Sequence, residues 1–263
     1  GSSIKGVIDS AIISHMLRRD ARFRAAVQQK LKEILYKYRD FRYDKRRCKR
    51  ELGAVLREVN KLIDRNIQVL FRNSEKRVNG ILASAFRGIS VSDAMPIGAI
   101  QTEILKKEDS CLDEDGTHAI SVHRECILPN QKFSFTLTLD TAMTKGIGIT
   151  NVNQVLDILQ EDFDATHKLL ASKFKKVSPS VFKALESANA YIGSNTGFIQ
   201  KTVIMAAFTD DEKTGIDIIR AILDVNFPKA KHDIKDKIMA PRALNLVKWN
   251  GHYYEMGGIH IGR

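Results

Sequence analysis

The residues with the clearest capacity for chemistry lie in one short stretch, Tyr36 to Arg50, which we call the basic segment. It contains eight lysines and arginines and four interleaved aromatic residues. Guanidinium groups can bind two phosphate oxygens at once, and aromatic faces can stack on unpaired bases, so this mixture favours contact with nucleic acid. The candidate contact residues are Lys37, Arg39, Arg42, Lys45, Arg46, Arg47, Lys49 and Arg50, with Tyr38 and Tyr43.

Arginine dominates the cations of this part of the chain. Of the 18 arginines, 14 lie before residue 91. Lysine would suffice for solubility, so the preference for arginine favours docking onto phosphate or carboxylate groups. Two alternatives stay open beside nucleic acid. The partner is an acidic protein surface, or the segment is a solvated junction between helices whose aromatic residues belong to the core.

The charge of the whole chain shows the same asymmetry. The formal net charge is +11, but residues 1–90 carry 22 lysines and arginines against 9 acids, whereas residues 91–263 carry 20 against 22. All of the excess positive charge therefore lies in the first third. This distribution predicts a polyanion or an acidic partner for that third, and not for the remainder.

Four residues invite a metal-site interpretation: Cys111, His118, His123 and Cys126. Structural zinc sites pair ligands about two to four residues apart at each end of a loop, and these spacings do not fit. On a strand, His118 and His123 would also point to opposite faces. We therefore expect no metal and no cofactor. An odd number of cysteines, three, further predicts free thiols in a reducing compartment.

Catalytic motifs are missing from the sequence. It contains no Gly-x-Ser-x-Gly and no phosphate-loop pattern. Asp210, Asp211 and Glu212, beside Lys213, could hold magnesium next to a phosphodiester, but acids in this arrangement are more simply the first turn of a helix. We favour a protein that is not an enzyme. The alternative is a metal-dependent, nuclease-like enzyme that acts on nucleic acid.

Hydrophobic periodicity predicts helices around the basic segment. Val27, Leu31, Leu35 and Tyr38 have helical spacing within residues 7–38, and a second helix is predicted from Leu52 to Leu70. A shorter third helix is predicted near residues 78–86, with Gly88 at its end. Residues 1–90 therefore form a helical hairpin or a small bundle in this interpretation.

The rest of the chain mixes strands and helices. Residues 91–116 are interpreted as a linker with an acidic loop, whose charge would allow it to contact the basic segment. Alternating apolar residues predict a β-hairpin over residues 118–142, and Asn250-Gly251 predicts a second hairpin. Helices are predicted from Asn151, after Ser178, and after Thr209, whose spacing to Glu212 resembles a capping box. The predicted fold is α+β, in which the basic helical hairpin or bundle (1–90) and the linker (91–116) precede a mixed α/β body with two β-hairpins (117–263).

These observations predict a non-enzymatic binding and assembly protein. The basic helices dock nucleic acid or an acidic neighbour, and the body contacts copies of itself or other subunits, as in a virus or phage particle or another nucleoprotein assembly. The longest apolar run, Val203–Phe208, is far shorter than the roughly 18–20 residues that span a bilayer. The first residues show no secretory-signal pattern. We expect a cytoplasmic protein, or one within a particle assembled in the cytoplasm.

Overall fold

The computed structural model describes residues 2–68, 84–111, 118–193, 196–227 and 242–262. Its helices are α1 (Ser2–Arg19), α2 (Ala21–Phe41), α3 (Lys45–Asn66), α4 (Thr141–Thr144), α5 (Val152–Lys173), α6 (Pro179–Lys183), α7 (Ile204–Ala207) and α8 (Glu212–Asn226). Its strands are β1 (Ile89–Val91), β2 (Met95–Pro96), β3 (Thr102–Cys111), β4 (His118–Ile127), β5 (Phe133–Ser134), β6 (Leu137–Leu139), β7 (Ala190–Tyr191), β8 (Ala243–Trp249), β9 (His252–Glu255) and β10 (Gly258–Ile259). The predicted α+β fold class is confirmed, with helices at the amino-terminal end.

The amino-terminal helices follow the predicted periodicity, with one interruption. Asp20 separates α1 from α2 because its side chain accepts the backbone N–H groups of Arg22 and Phe23, both at 2.9 Å, and so begins a new helix. The second predicted helix is confirmed as α3, although α3 begins at Lys45 and not at Leu52. The third lies mostly outside the described residues, and its described part, Ala85–Gly88, forms a 3₁₀ turn.

The main sheet has four antiparallel strands in the order β4-β3-β8-β9. The hairpin predicted at Asn250-Gly251 is confirmed as the connection between β8 and β9, with Trp249 opposite His252. Both turn residues have positive φ, 47° for Asn250 and 82° for Gly251. This is the backbone that a two-residue hairpin turn requires, and asparagine and glycine adopt it most readily.

The hairpin predicted over residues 118–142 is wrong. β4 pairs with β3, whereas β5 pairs with β2 and β6 pairs with β1. The alternation identified strands correctly, but an alternating pattern reports one dry face and not the identity of the neighbouring strand. The partner of β4 comes from the segment interpreted as a linker, whose residues Thr102–Cys111 form a strand, with a shift of register against β4 between Lys106 and Glu108. The remainder of the predicted acidic loop lies outside the described residues.

The later helices begin largely as predicted. Asn151 caps α5 through a capping box, in which its side chain accepts from the Gln154 N–H and the Gln154 side chain accepts from the Asn151 N–H. α6 begins after Ser178 but ends at Lys183, after five residues. α8 begins at Glu212, and its cap is Asp211 and not Thr209, because the Asp211 carboxylate reaches the N–H of Thr214.

Two clusters of buried side chains form the core. One joins α2 and α3 to α5, α6, α7, α8 and β8, and the other joins α1 to β1, α5 and Ile261. The amino-terminal helices therefore share their core with the α/β body, and the division at residues 90 and 116 stays a prediction of the sequence. Among the residues that the structure describes, no helix is long and apolar enough to cross a membrane.

Candidate nucleic-acid interface

The basic segment forms the end of a helical hairpin. α2 ends at Phe41, α3 begins at Lys45, and three residues connect them. Asp44 begins α3 by accepting the Arg47 N–H at 3.0 Å. Cys48 is fully buried between the helices, and burial raises the pKa of its thiol. The apolar faces of both helices are thus turned inward, which leaves the cations of the turn outside.

The side chains of three cations of this segment make no ion pair, hydrogen bond or aromatic contact with any described residue. They are Lys45, Arg46 and Lys49, and all three are exposed. An exposed cation that forms no ion pair keeps its full charge available to a ligand. These three side chains are therefore free to bind an anion.

The other cations have weak partners within the segment or next to it. Lys37 Nζ lies 3.4 Å from one Glu51 oxygen and Arg50 Nη2 lies 3.5 Å from the other, while Arg39 Nε lies 3.7 Å from Asp40. Exposed pairs of this kind contribute about 0–1 kcal/mol. Phosphate can replace such partners at little cost.

Guanidinium groups also lie on the aromatic rings of the segment. The guanidinium carbon of Arg39 lies 5.5 Å from the ring centre of Tyr36, that of Arg42 lies 4.8 Å from Tyr43, and that of Arg47 lies 4.2 Å from Phe41. Tyr36 is 57% exposed and Tyr43 is 87% exposed. The segment therefore presents exposed aromatic rings, each with a positive charge beside it.

Tyr38 has a different place from the other predicted contact residues. Its hydroxyl donates to Asp224 Oδ2 on α8 at 2.9 Å, and burial together with this bond raises the pKa of Tyr38 to about 12. Tyr38 thus attaches α2 to α8. Tyr36, which is not among the predicted contact residues, is the more exposed ring. The two residues lie on different faces of one helix. Their positions in the helical repeat were the signal that could have identified Tyr36 as the exposed residue.

The acidic cluster considered for nuclease chemistry is engaged in the fold. Asp211 caps α8, Glu212 contacts Lys173, and Asp210 Oδ2 lies 3.9 Å from Arg24. Within the described ranges, no three His, Cys, Asp or Glu residues lie close enough together to hold a metal ion. Of the four residues considered for zinc, His123 lies opposite Lys106 and Cys126 opposite Glu103, and the side chains of Cys111 and His118 are outside the description.

A concave site lies elsewhere in the molecule. A cavity of about 420 Å³ opens between α1, α5 and the residues around β7, with Ser3, Ser10 and Lys201 in its wall. Gln200 also lines it and donates from Nε2 to Glu255 Oε1 at 3.0 Å. Sequence reasoning missed this cavity because the fold assembles it from separate segments, without a local motif.

Comparisons with known proteins find a similar fold and no family. No protein-family model matches the chain, and no curated protein sequence is similar to it. Among solved structures, one chain of a cryo-EM structure of a Csm-crRNA-target RNA ternary complex from a type III-A CRISPR-Cas system is similar, with a TM-score of 0.59 and 18% sequence identity. The likeness is one of fold. It covers 98% of this chain and 71% of that chain.

Proposed function

We propose that this protein is a non-enzymatic RNA-binding subunit of a ribonucleoprotein assembly, and that its basic segment docks on RNA phosphates. The observation that carries the proposal is the exposed group Lys45, Arg46 and Lys49, which has no acidic partner among the described residues. Counterions condensed on RNA are released when such cations bind phosphate, which makes this geometry favourable for a polyanion. The similarity in fold to a chain of a complex that contains crRNA and target RNA supports RNA as the ligand.

Exposed apolar side chains support the assembly part of the proposal. Met95, Ile97, Ile104 and Ile127 are 55–70% exposed, and all of them lie on or beside strands β2 to β4. A concentration of large exposed apolar residues marks an interaction surface in soluble proteins. We expect other subunits of the assembly to cover it. Nothing in the comparisons supports the narrower interpretation as a virus or phage particle protein, and a cytoplasmic location stays a prediction.

The decisive experiment removes two unpartnered cations. In the double variant Arg46→Ala/Lys49→Ala, two lost phosphate contacts should reduce the slope of log affinity against log salt by about 1.4 for a single strand, and weaken binding about tenfold at physiological salt. Fluorescence anisotropy of a labelled RNA oligonucleotide over a series of salt concentrations measures both quantities. The change should not affect folding, because both side chains are exposed.

A matched control separates the basic segment from net charge alone. Lys145→Ala/Lys175→Ala removes the same charge from exposed positions in the body and should leave the salt slope unchanged. An equal loss of affinity in both double variants would contradict the proposal. So would an absence of RNA binding by the wild-type protein at low salt, and binding to an acidic polypeptide under those conditions would support the acidic-partner alternative.

Removing the acid within the turn should have the opposite effect. Asp44→Asn removes a negative charge beside the proposed phosphates, and asparagine caps a helix as well as aspartate does. RNA binding should become about two- to fivefold tighter, with an unchanged free energy of unfolding. The comparison variant Asp44→Ala should lose about 1 kcal/mol of stability with the cap. Weaker RNA binding by a fully folded Asp44→Asn protein would show that the turn does not face RNA.

A further inference from the structure

We infer that the basic segment selects single-stranded over duplex RNA, with unpaired bases stacking on Tyr36 and Tyr43. The inference rests on the proposed function and specifies the form of RNA that the protein binds. It is based on two exposed tyrosines, each with a guanidinium group at its ring, and on the unpartnered cations at the beginning of α3, in the same basic segment.

Tyr43 is placed for a ligand and contributes little to the fold. It is 87% exposed, so its ring gains almost none of the free energy that burial supplies. Arg42 nevertheless restrains it twice, since the guanidinium lies 4.8 Å from the ring centre and Nη2 donates to the tyrosine hydroxyl at 2.7 Å. A ring held in place by its neighbour loses less entropy when a base stacks on it.

Tyr36 repeats the arrangement one helical turn before the end of α2. It is 57% exposed, and Arg39 lies at its ring, three residues later on the same helix face. Phe41 lies between Tyr36 and Tyr43 in sequence, but its ring packs partly against the core, beneath Arg47. Two rings therefore remain open to solvent in the same basic segment as the unpartnered cations Lys45, Arg46 and Lys49.

Only unpaired nucleotides can use these rings. In duplex RNA the base faces are covered by neighbouring base pairs, and the major groove is too deep and narrow for side chains to read. A duplex would therefore contact the phosphate-binding cations without stacking on the tyrosines. A single strand engages both, because each unpaired base that stacks on an aromatic ring adds to the electrostatic attraction.

The test compares one RNA strand in two forms. An unstructured oligonucleotide, alone or annealed to its complement, is titrated with wild type and with Tyr36→Leu/Tyr43→Leu. The variant should bind the single strand about fivefold more weakly for each ring that is lost, and the duplex as wild type does, with an unchanged salt slope. An oligonucleotide with abasic sites should bind wild type and variant equally. The control Phe133→Leu changes a partly exposed aromatic residue on β5 and should have no effect.

The outcomes separate the inference from the proposed function. If Tyr36→Leu/Tyr43→Leu lost equal affinity for the single strand and the duplex, or lost affinity for neither, base stacking on these tyrosines would be overturned. If Arg46→Ala/Lys49→Ala still weakens the binding of both single-stranded and duplex RNA in that case, phosphate docking stands without base stacking. If wild type binds neither form at low salt, both the inference and the proposed function fail. Circular dichroism of each variant establishes that it is folded.

Discussion

Replacement of Ile34 by alanine is expected to lower the free energy of unfolding by about 2–5 kcal/mol. Ile34 is fully buried on α2, in the cluster that joins α2 to α3 and α8. The substitution removes apolar contacts and leaves a cavity that rigid helices fill only in part, so the lost transfer free energy and the cavity both contribute. Urea unfolding followed by circular dichroism measures the change.

Two companion variants calibrate this result. Ile34→Val removes one methylene and should cost about 0.5–1.5 kcal/mol. Lys32→Ala changes an exposed neighbour on α2 and should alter stability by about 0.5 kcal/mol or less. If Ile34→Ala lowered the free energy of unfolding no more than Lys32→Ala does, Ile34 would not be packed between α2 and α8. The basic segment would then not face outward as described.

Glu255→Gln is expected to remove a pH dependence of stability. Glu255 is 8% exposed, one of its oxygens accepts from Gln200, and the other has no hydrogen-bond partner among the described residues. Burial raises the pKa of this carboxyl from 4.5 to about 7, and the Gln200 bond acts against that rise. The folded protein therefore favours the protonated form.

The direction of the effect follows from proton binding. Between pH 4.5 and about 7 the folded state holds a proton that the unfolded state has released, so wild-type stability falls as pH rises through this window. The full loss from this group is about 3 kcal/mol. Glutamine imitates the neutral carboxyl, so the variant should gain stability relative to wild type at about pH 8 and differ little near pH 4.5.

Unfolding experiments at both pH values test this expectation. The control Glu125→Gln changes an exposed carboxylate on β4, and it should follow the wild-type pH profile. If Glu255→Gln kept the full loss of stability between acidic and alkaline pH, Glu255 would not be the group that holds the proton.

Local chemistry made parts of this molecule predictable. The basic segment was evident from composition, and the turn between β8 and β9 from Asn250-Gly251, since a positive φ at two successive residues suits few other pairs. The Asn151 cap was equally visible, because its partners lie within one helical turn. In each case the interactions that decide the structure join residues close together in sequence.

Other parts depend on contacts between distant residues. The pairing of β3 with β4 and β8 was not predicted, because the many polar residues of β3 concealed its strand character. The bond from Tyr38 to Asp224 joins residues 186 positions apart, so the sequence could not distinguish Tyr38 as a structural residue from Tyr36 as an exposed one. The acids at 210–212 were correctly interpreted as a helix start, although the capping residue was not.

The shared core has a consequence for how this surface can change. The cations project from helices whose inner faces are covered by α7 and α8, far along the chain. The basic segment is therefore not a portable module: cut out and fused to another protein, it would carry its charge together with an uncovered apolar stripe. Natural variation can change the binding residues on the outer side of the basic segment one at a time. Recombination cannot transfer the segment without also transferring most of the body.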